Sequence, residues 1–181
     1  MAAFTVIEHD EIGSGGVASW SETGISASYD HLLLKASIRS EYVNSTADGV
    51  LQLNEDATTS LYSDTNLYAR TSTVESTRTS SGAGITSWRM PADWSATAGD
   101  NVFGNLNVWI PNYSNTTNFK QVLLTCGFSP ADAQNYVWGE YVTAGLVQIT
   151  GAITAVTVTI GGLGSGIAEF STFTLYGVTG A

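Results

Sequence analysis

The chain has 181 residues, of which 12% are charged, and its formal net charge is −10 at pH 7. Its six lysines and arginines form no cluster that offsets this negative field, so the composition argues against a nucleic-acid partner. A chain of this length can bury a sizeable core, and we expect residues 1–181 to form one domain.

Membrane insertion and secretion are likewise not expected. No window approaches the roughly 20 apolar residues that a membrane helix requires. The first residues pass from a short apolar patch into acidic residues, without the basic start and long apolar run of a secretion signal. The single cysteine, Cys126, has no intramolecular partner and alternates in phase with Val122 and Leu124, which predicts a core thiol.

Alternation of apolar and polar residues with a period of two is the main pattern along the chain. In residues 31–39, for example, Leu32, Leu34 and Ile38 share one face, while Lys35 and Arg39 lie on the other. Because no helical period links these segments, the pattern predicts an all-β, antiparallel β-sandwich of jelly-roll-like form with little helix. The predicted strands, about nine or ten in number, are 4–8, 17–20, 31–39, 49–54, 102–110, 119–126, 136–142, 146–150, 153–160 and 171–178.

Residues 55–100 depart from this pattern. Serine and threonine dominate and the alternation is loose, which predicts one long excursion with short strands at 60–69 and 85–89. Residues 71–81 are predicted to be a loop. Later in the chain, residues 129–134 combine a serine N-cap with proline at the first helical position, which predicts a turn or two of helix.

Residues suited to catalysis or metal binding are few. Only His9 and His31 are available as imidazole ligands or general bases, and no spacing typical of a zinc site is present. The oxygen-rich segments 54–56 and 64–66 leave calcium open as a weaker interpretation. We therefore expect no catalytic residue, no metal and no cofactor.

A hydrolase is the least favoured function. It would need two carboxylates facing each other across a cleft, and Glu140 and Glu169 are a conceivable pair. Each is a single acid near an aromatic residue, so we expect the chain not to be an enzyme.

Aromatic residues are the candidate contact sites. Phe103 and Trp109 fall on the strand face opposite the apolar positions of residues 102–110, next to two asparagines, and Trp88, Trp94 and Tyr113 fall in loops. Flat rings beside amides are typical of a subunit interface or of a platform on which a sugar stacks. The third interpretation, that a two-sheet fold buries them, stays open.

Two segments resemble structural proteins of tailed bacteriophages, especially aquatic ones. Residues 28–40 read Ser-Tyr-Asp-His-Leu-Leu-Leu-Lys-Ala-Ser-Ile-Arg-Ser and match an opening strand of the form Y-x-H-L-x-L-x-x-x-x-R-S. Residues 153–158, the glycine-rich turn 161–166 and residues 171–178, which read Ser-Thr-Phe-Thr-Leu-Tyr-Gly-Val, resemble the closing hairpin of these proteins. The matching segments cover about a quarter of the chain and bracket the whole of it.

This resemblance implies a jelly-roll-like virion protein without enzymatic activity. We expect a capsid decoration, or cement, protein that assembles in the host cytoplasm and binds the outside of a phage head, with the major capsid protein and copies of itself as partners, as a homotrimer. The low proportion of charged residues fits a surface that such partners cover in part. The alternative is a tail-fibre or adhesin-type module that binds a host surface polysaccharide.

Overall fold

A computed structural model describes residues 3–41, 46–70, 73–86, 88–91, 102–128, 139–160 and 166–180. These residues form strands and connecting turns, and none of them lies in a helix. The twelve strands are β1 (Ala3–Glu11), β2 (Ser19–Thr23), β3 (His31–Ile38), β4 (Thr46–Leu53), β5 (Tyr62–Arg70), β6 (Thr73–Gly82), β7 (Arg89–Pro91), β8 (Gly104–Pro111), β9 (Lys120–Phe128), β10 (Gly139–Val147), β11 (Ala155–Ile160) and β12 (Thr172–Thr179).

The strands form two antiparallel sheets of unequal width. The large sheet has eight strands in the order β1-β12-β3-β8-β9-β10-β5-β6, and the small sheet has four in the order β2-β11-β4-β7. The chain passes from one sheet to the other at every step from β1 to β5. It changes sheet again on entering β7, β8, β11 and β12. With the β5–β6 hairpin set aside and the meander β8-β9-β10 counted as one position, four strands face four in the order of a jelly roll, and the predicted β-sandwich is confirmed.

Several predicted strands needed correction. The prediction of a loop at 71–81 was wrong, because β6 occupies most of that segment and pairs with β5 from Tyr62 to Arg70. The side chains of β6 are polar and exposed on nearly its whole length, so this edge strand lacks the apolar alternation that marks the others. The predicted strands 136–142 and 146–150 are one strand, β10, as far as the described residues extend. The helical turn predicted at 129–134 lies outside them.

The core lies between the inner faces of the two sheets. The alternation that predicted β3, β8 and β9 is confirmed, because their inward side chains are buried. Trp20 of the small sheet stacks on Phe173 of the large sheet, with ring centroids 4.7 Å apart and planes 4° apart. Cys126 is buried on β9, as predicted, and its thiol donates a hydrogen bond of 3.4 Å to the Arg89 carbonyl of the small sheet.

The small sheet does not span the large one. Its outer strands meet β12 at Trp20 and β9 at Arg89, so β10, β5 and β6 extend past it on one side. The connection between β6 and β7 covers part of this overhang, because Ile85 packs where a side chain at Gly145 would stand. Trp88 lies in the same way against Gly49, whose added Cβ would meet the indole at 2.3 Å. Glycine at these two positions lets the connection approach both sheets.

A buried lysine closes one end of the sandwich. Lys120 points inward at the start of β9, and its ammonium group donates hydrogen bonds to the carbonyls of Asn115, Asn118 and Thr150 at 2.7, 2.9 and 3.1 Å. Burial lowers the pKa of Lys120 because desolvation disfavours the charged form. The three carbonyl dipoles oppose this effect and tie two loops to the strand.

We expect Lys120→Met to lower the free energy of unfolding by about 2–4 kcal/mol, because three carbonyls lose a charged donor and stay buried. The matched control is Lys35→Met, at an exposed position on the same sheet, which should change it by less than about 0.5 kcal/mol. Urea denaturation followed by circular dichroism measures both. Equal effects of the two substitutions would contradict the structural role of Lys120.

No helix among the described residues is both long enough and apolar enough to span a membrane.

Candidate functional site

Two of the candidate aromatic contacts are core residues. Trp88 is 1% exposed and Tyr113 is 0% exposed, so neither side chain reaches a partner on the surface. The indole N–H of Trp88 donates to the Ile85 carbonyl at 2.9 Å, and the Tyr113 hydroxyl donates to the Ser26 carbonyl. Their loop positions in the sequence gave no sign of this burial.

Phe103 and Trp109 are the candidate aromatics that stay half-exposed, and Trp94 lies outside the described residues. Phe103 precedes β8, and the Arg39 guanidinium carbon is 5.5 Å from its ring centroid. Trp109 lies on the outer face of β8, where His31 packs against it with ring centroids 4.9 Å apart. Among the candidates, Trp109 is therefore the one placed on the open face of the large sheet.

An apolar row crosses this outer face at Trp109. Cross-strand partners share a face, so the register of the large sheet lines up one side chain from each of five neighbouring strands. At about 4.8 Å between strands, the row is about 19 Å long. We call it the outer row, and it consists of Val6, Tyr176, Leu33, Trp109 and Leu123.

The ends of the outer row are the most exposed. Val6 is 54% exposed and Leu123 is 47% exposed, whereas the residues between them are half-buried by their neighbours. Phe4 extends the row at the β1 edge, where it meets Tyr176 edge-to-face at 6.3 Å. An exposed and continuous apolar surface of this kind marks an interaction site more often than scattered apolar residues do.

A polar depression of about 280 Å³ borders the outer row. It is shallow, and it offers an ammonium group, hydroxyls and amides next to the apolar side chains. Such a border of polar groups around an apolar centre is the usual arrangement at protein interfaces. The side chains that supply these polar groups are Lys35, Ser37, Asn105, Asn107, Thr172 and Thr174.

A second concave site lies between the sheets at the overhang, and we call it the inter-sheet cleft. It has a volume of about 470 Å³. Tyr68 and Tyr141 stack along it with centroids 5.3 Å apart and planes 14° apart. Its lining comes from β4, β5, β6, β7, β10 and the β6–β7 connection: Asp48, Gly49, Val50, Asn66, Tyr68, Thr77, Thr79, Thr86, Trp88, Arg89 and Tyr141.

Hydrogen bonds fix the polar groups of the inter-sheet cleft. Arg89 donates from Nε to Asp48 Oδ1 at 2.8 Å, and the two side chains are 39% and 70% exposed at the rim. Thr77 donates from its hydroxyl to Asn66 Oδ1 at 2.6 Å, and Tyr68 donates to the Glu75 carboxylate. The cleft therefore presents stacked rings together with groups that both donate and accept hydrogen bonds.

Tyr68 and Tyr141 were not among the predicted contact residues. Both lie on inward faces, and in β5 the inward positions alternate from Tyr62 through Asn66 to Tyr68. This period-two pattern of aromatic and amide side chains was the available signal. It was hidden because apolar residues such as Leu67 occupy the opposite, outward face.

The histidines and the oxygen-bearing side chains considered as metal ligands make hydrogen bonds within the fold. His9 Nδ1 lies 2.8 Å from Thr174 Oγ1, and His31 Nδ1 accepts a hydrogen bond from the Asn112 amide at 3.0 Å. Asn54 Oδ1 accepts from the Thr154 amide at 2.7 Å, and Asp64 Oδ2 accepts from the Thr86 amide at 3.0 Å. Within the described part of the chain, no three histidine, cysteine or acidic side chains are grouped as metal ligands.

Buried ionisable side chains are bound to backbone carbonyls. The Tyr62 hydroxyl lies 2.7 Å from the Asp56 carbonyl, and desolvation raises the pKa of Tyr62. Burial also raises the pKa of Tyr113, and it raises the pKa of Cys126 to about 12. At neutral pH these groups are uncharged hydrogen-bond donors, and the Cys126 thiol is not a nucleophile.

The sequence matches no protein-family model. No curated protein is similar to it in sequence. The geometry alone therefore provides two candidate binding surfaces, which are the outer row with its polar border and the inter-sheet cleft.

The two tryptophans should differ sharply in their effect on stability. We expect Trp88→Ala to lower the free energy of unfolding by about 3–5 kcal/mol, because it empties a buried site against Gly49. Trp109→Ala removes a half-exposed ring and should lower it by about 1 kcal/mol or less. Urea unfolding of both variants measures the two losses in the free energy of unfolding. A larger loss for Trp109→Ala would place that ring in the core.

Proposed function

We propose that the protein is a non-enzymatic capsid decoration protein of a tailed bacteriophage, which binds the outside of the head as a homotrimer and stabilises the capsid lattice. The observation that carries this proposal is the outer row, an apolar surface about 19 Å long on the outer face of the large sheet. An apolar row with a polar border supports contact with another folded protein.

The phage assignment draws its support from the resemblance of the opening and closing segments. β3 carries the first segment and β12 carries the end of the second, and these strands pair with each other in the large sheet. Each contributes one side chain to the outer row, Leu33 from β3 and Tyr176 from β12. The segments that resemble virion proteins are thus the ones that form the centre of the proposed contact surface.

Stabilisation of the head follows from mass action. A subunit that binds the assembled lattice and not its separated parts lowers the free energy of the intact particle. The buried ionisable groups support a structural role rather than a catalytic one, since Tyr62, Tyr113, Lys120 and Cys126 each donate to a backbone carbonyl.

The alternative function is that of a tail-associated module that binds host surface polysaccharide. The observation that favours it is the inter-sheet cleft, with its stacked tyrosines and its Arg89–Asp48 pair. The location of the protein in an intact virion distinguishes the decoration protein from the tail module. Quantitative mass spectrometry should find a copy number close to that of the major capsid protein for a decoration protein, and a handful of copies for a tail module.

The outer row is proposed as a contact between copies of the chain in the trimer, and this role can be tested on the purified protein. We expect trimers in solution, and we expect Leu123→Asp to weaken their association about tenfold or more, because it places a charge in the apolar contact. Val74→Asp is the matched control, since Val74 is 70% exposed on β6, at the far edge of the sheet. Sedimentation velocity measures both variants.

Two results would contradict the proposal. One is a wild-type protein that stays monomeric up to about 1 mM. The other is a trimer that fails to raise the rupture temperature of heads from which the protein has been stripped.

A further inference from the structure

The inter-sheet cleft is a second binding surface, separate from the outer row. It lies on the inner side of the large sheet, where β5, β6 and β10 extend past the small sheet. We infer that this cleft binds a neutral oligosaccharide.

The aromatic side of the cleft suits the apolar face of a sugar ring. Tyr68 stacks on the buried Tyr141 with ring centroids 5.3 Å apart. This packing holds the Tyr68 ring, so a sugar that contacts it would immobilise few side-chain torsions. Tyr68 is only half-buried and is the ring that a ligand can reach first.

The polar side of the cleft suits hydroxyl groups. A sugar hydroxyl both donates and accepts, and it is recognised best by neighbouring donors and acceptors. The guanidinium of Arg89 and the carboxylate of Asp48 provide these at the rim, where both side chains are partly exposed. The hydroxyls of Thr77 and Thr79 line the opposite wall on β6.

Size and charge narrow the ligand class. The cleft volume of about 470 Å³ falls in the range of roughly 300–1,000 Å³ that is usual for small-molecule sites, so it accommodates a short oligosaccharide. The chain carries a net charge of −10, and Asp48 pairs with Arg89 at the rim. This field disfavours a polyanionic saccharide and favours a neutral one.

The inference rests on the polysaccharide-binding alternative and gives it a location. A neutral oligosaccharide panel provides the probe, with two- to four-unit chains of glucose, galactose, mannose and N-acetylglucosamine. Isothermal titration calorimetry of the full chain measures binding. We expect at least one panel member to bind.

Four variants then locate the bound sugar. Tyr68→Ala removes the exposed ring of the cleft and Arg89→Ala removes its rim cation, and each should weaken binding about tenfold or more. The matched controls are Phe119→Ala and Arg78→Ala, an aromatic and a cationic residue at exposed positions that line neither the cleft nor the outer row, and they should leave binding within about twofold. Circular dichroism melting of each variant checks folding, and Arg89→Ala changes a surface side chain that is 39% exposed.

The possible outcomes distinguish failure of the cleft as the binding site from failure of polysaccharide binding itself. Binding that is kept in both cleft variants overturns the cleft as the site, while polysaccharide binding survives. Absence of binding by every panel member up to about 1 mM overturns both. Loss confined to the two cleft variants, with all four proteins folded, supports the inference.

Discussion

The small sheet is narrower than the large sheet, and this difference determines which strands of the large sheet are covered on their inner face. Eight strands face four, so the small sheet covers the large one from Phe173 of β12 to Cys126 of β9 and leaves the rest to other elements. The β6–β7 connection covers part of the remainder, with Ile85 and Trp88 packed against glycines. The part that this connection leaves uncovered is the inter-sheet cleft. The overlap of the two sheets therefore determines both the extent of the core and the position of the cleft.

Apolar and polar groups occupy different parts of the interior. Apolar side chains fill the space where the sheets overlap. At the ends, loop carbonyls turn inward and need donors, which Lys120, Tyr62 and Tyr113 supply from buried positions. Each donor lies close to the core and is held by backbone, so the cost of burying it is offset by hydrogen bonds that also fix the loops.

Sequence pattern predicted the fold where one strand face was apolar and the other polar. In β3, β8, β9 and β12 the buried positions alternate, and period two is sufficient. It failed in β6, whose threonines and serines lie at an edge beside the cleft, and in β10, where Gly145 resembles a turn although Ile85 fills its missing side chain. The pattern placed Trp109 on a strand face and Trp88 in a loop, but it did not show that Trp88 is buried, because that depends on tertiary packing against Gly49.

The overhanging β5–β6 hairpin has a consequence for how such a protein can diversify. Most β6 side chains are exposed, and those facing the cleft, such as Thr77, contact neighbours in the hairpin rather than the core. Replacements there alter the lining of the cleft with little loss of folding free energy, because surface positions tolerate exchange. The lining of the cleft can therefore vary among related sequences while the two paired sheets are retained.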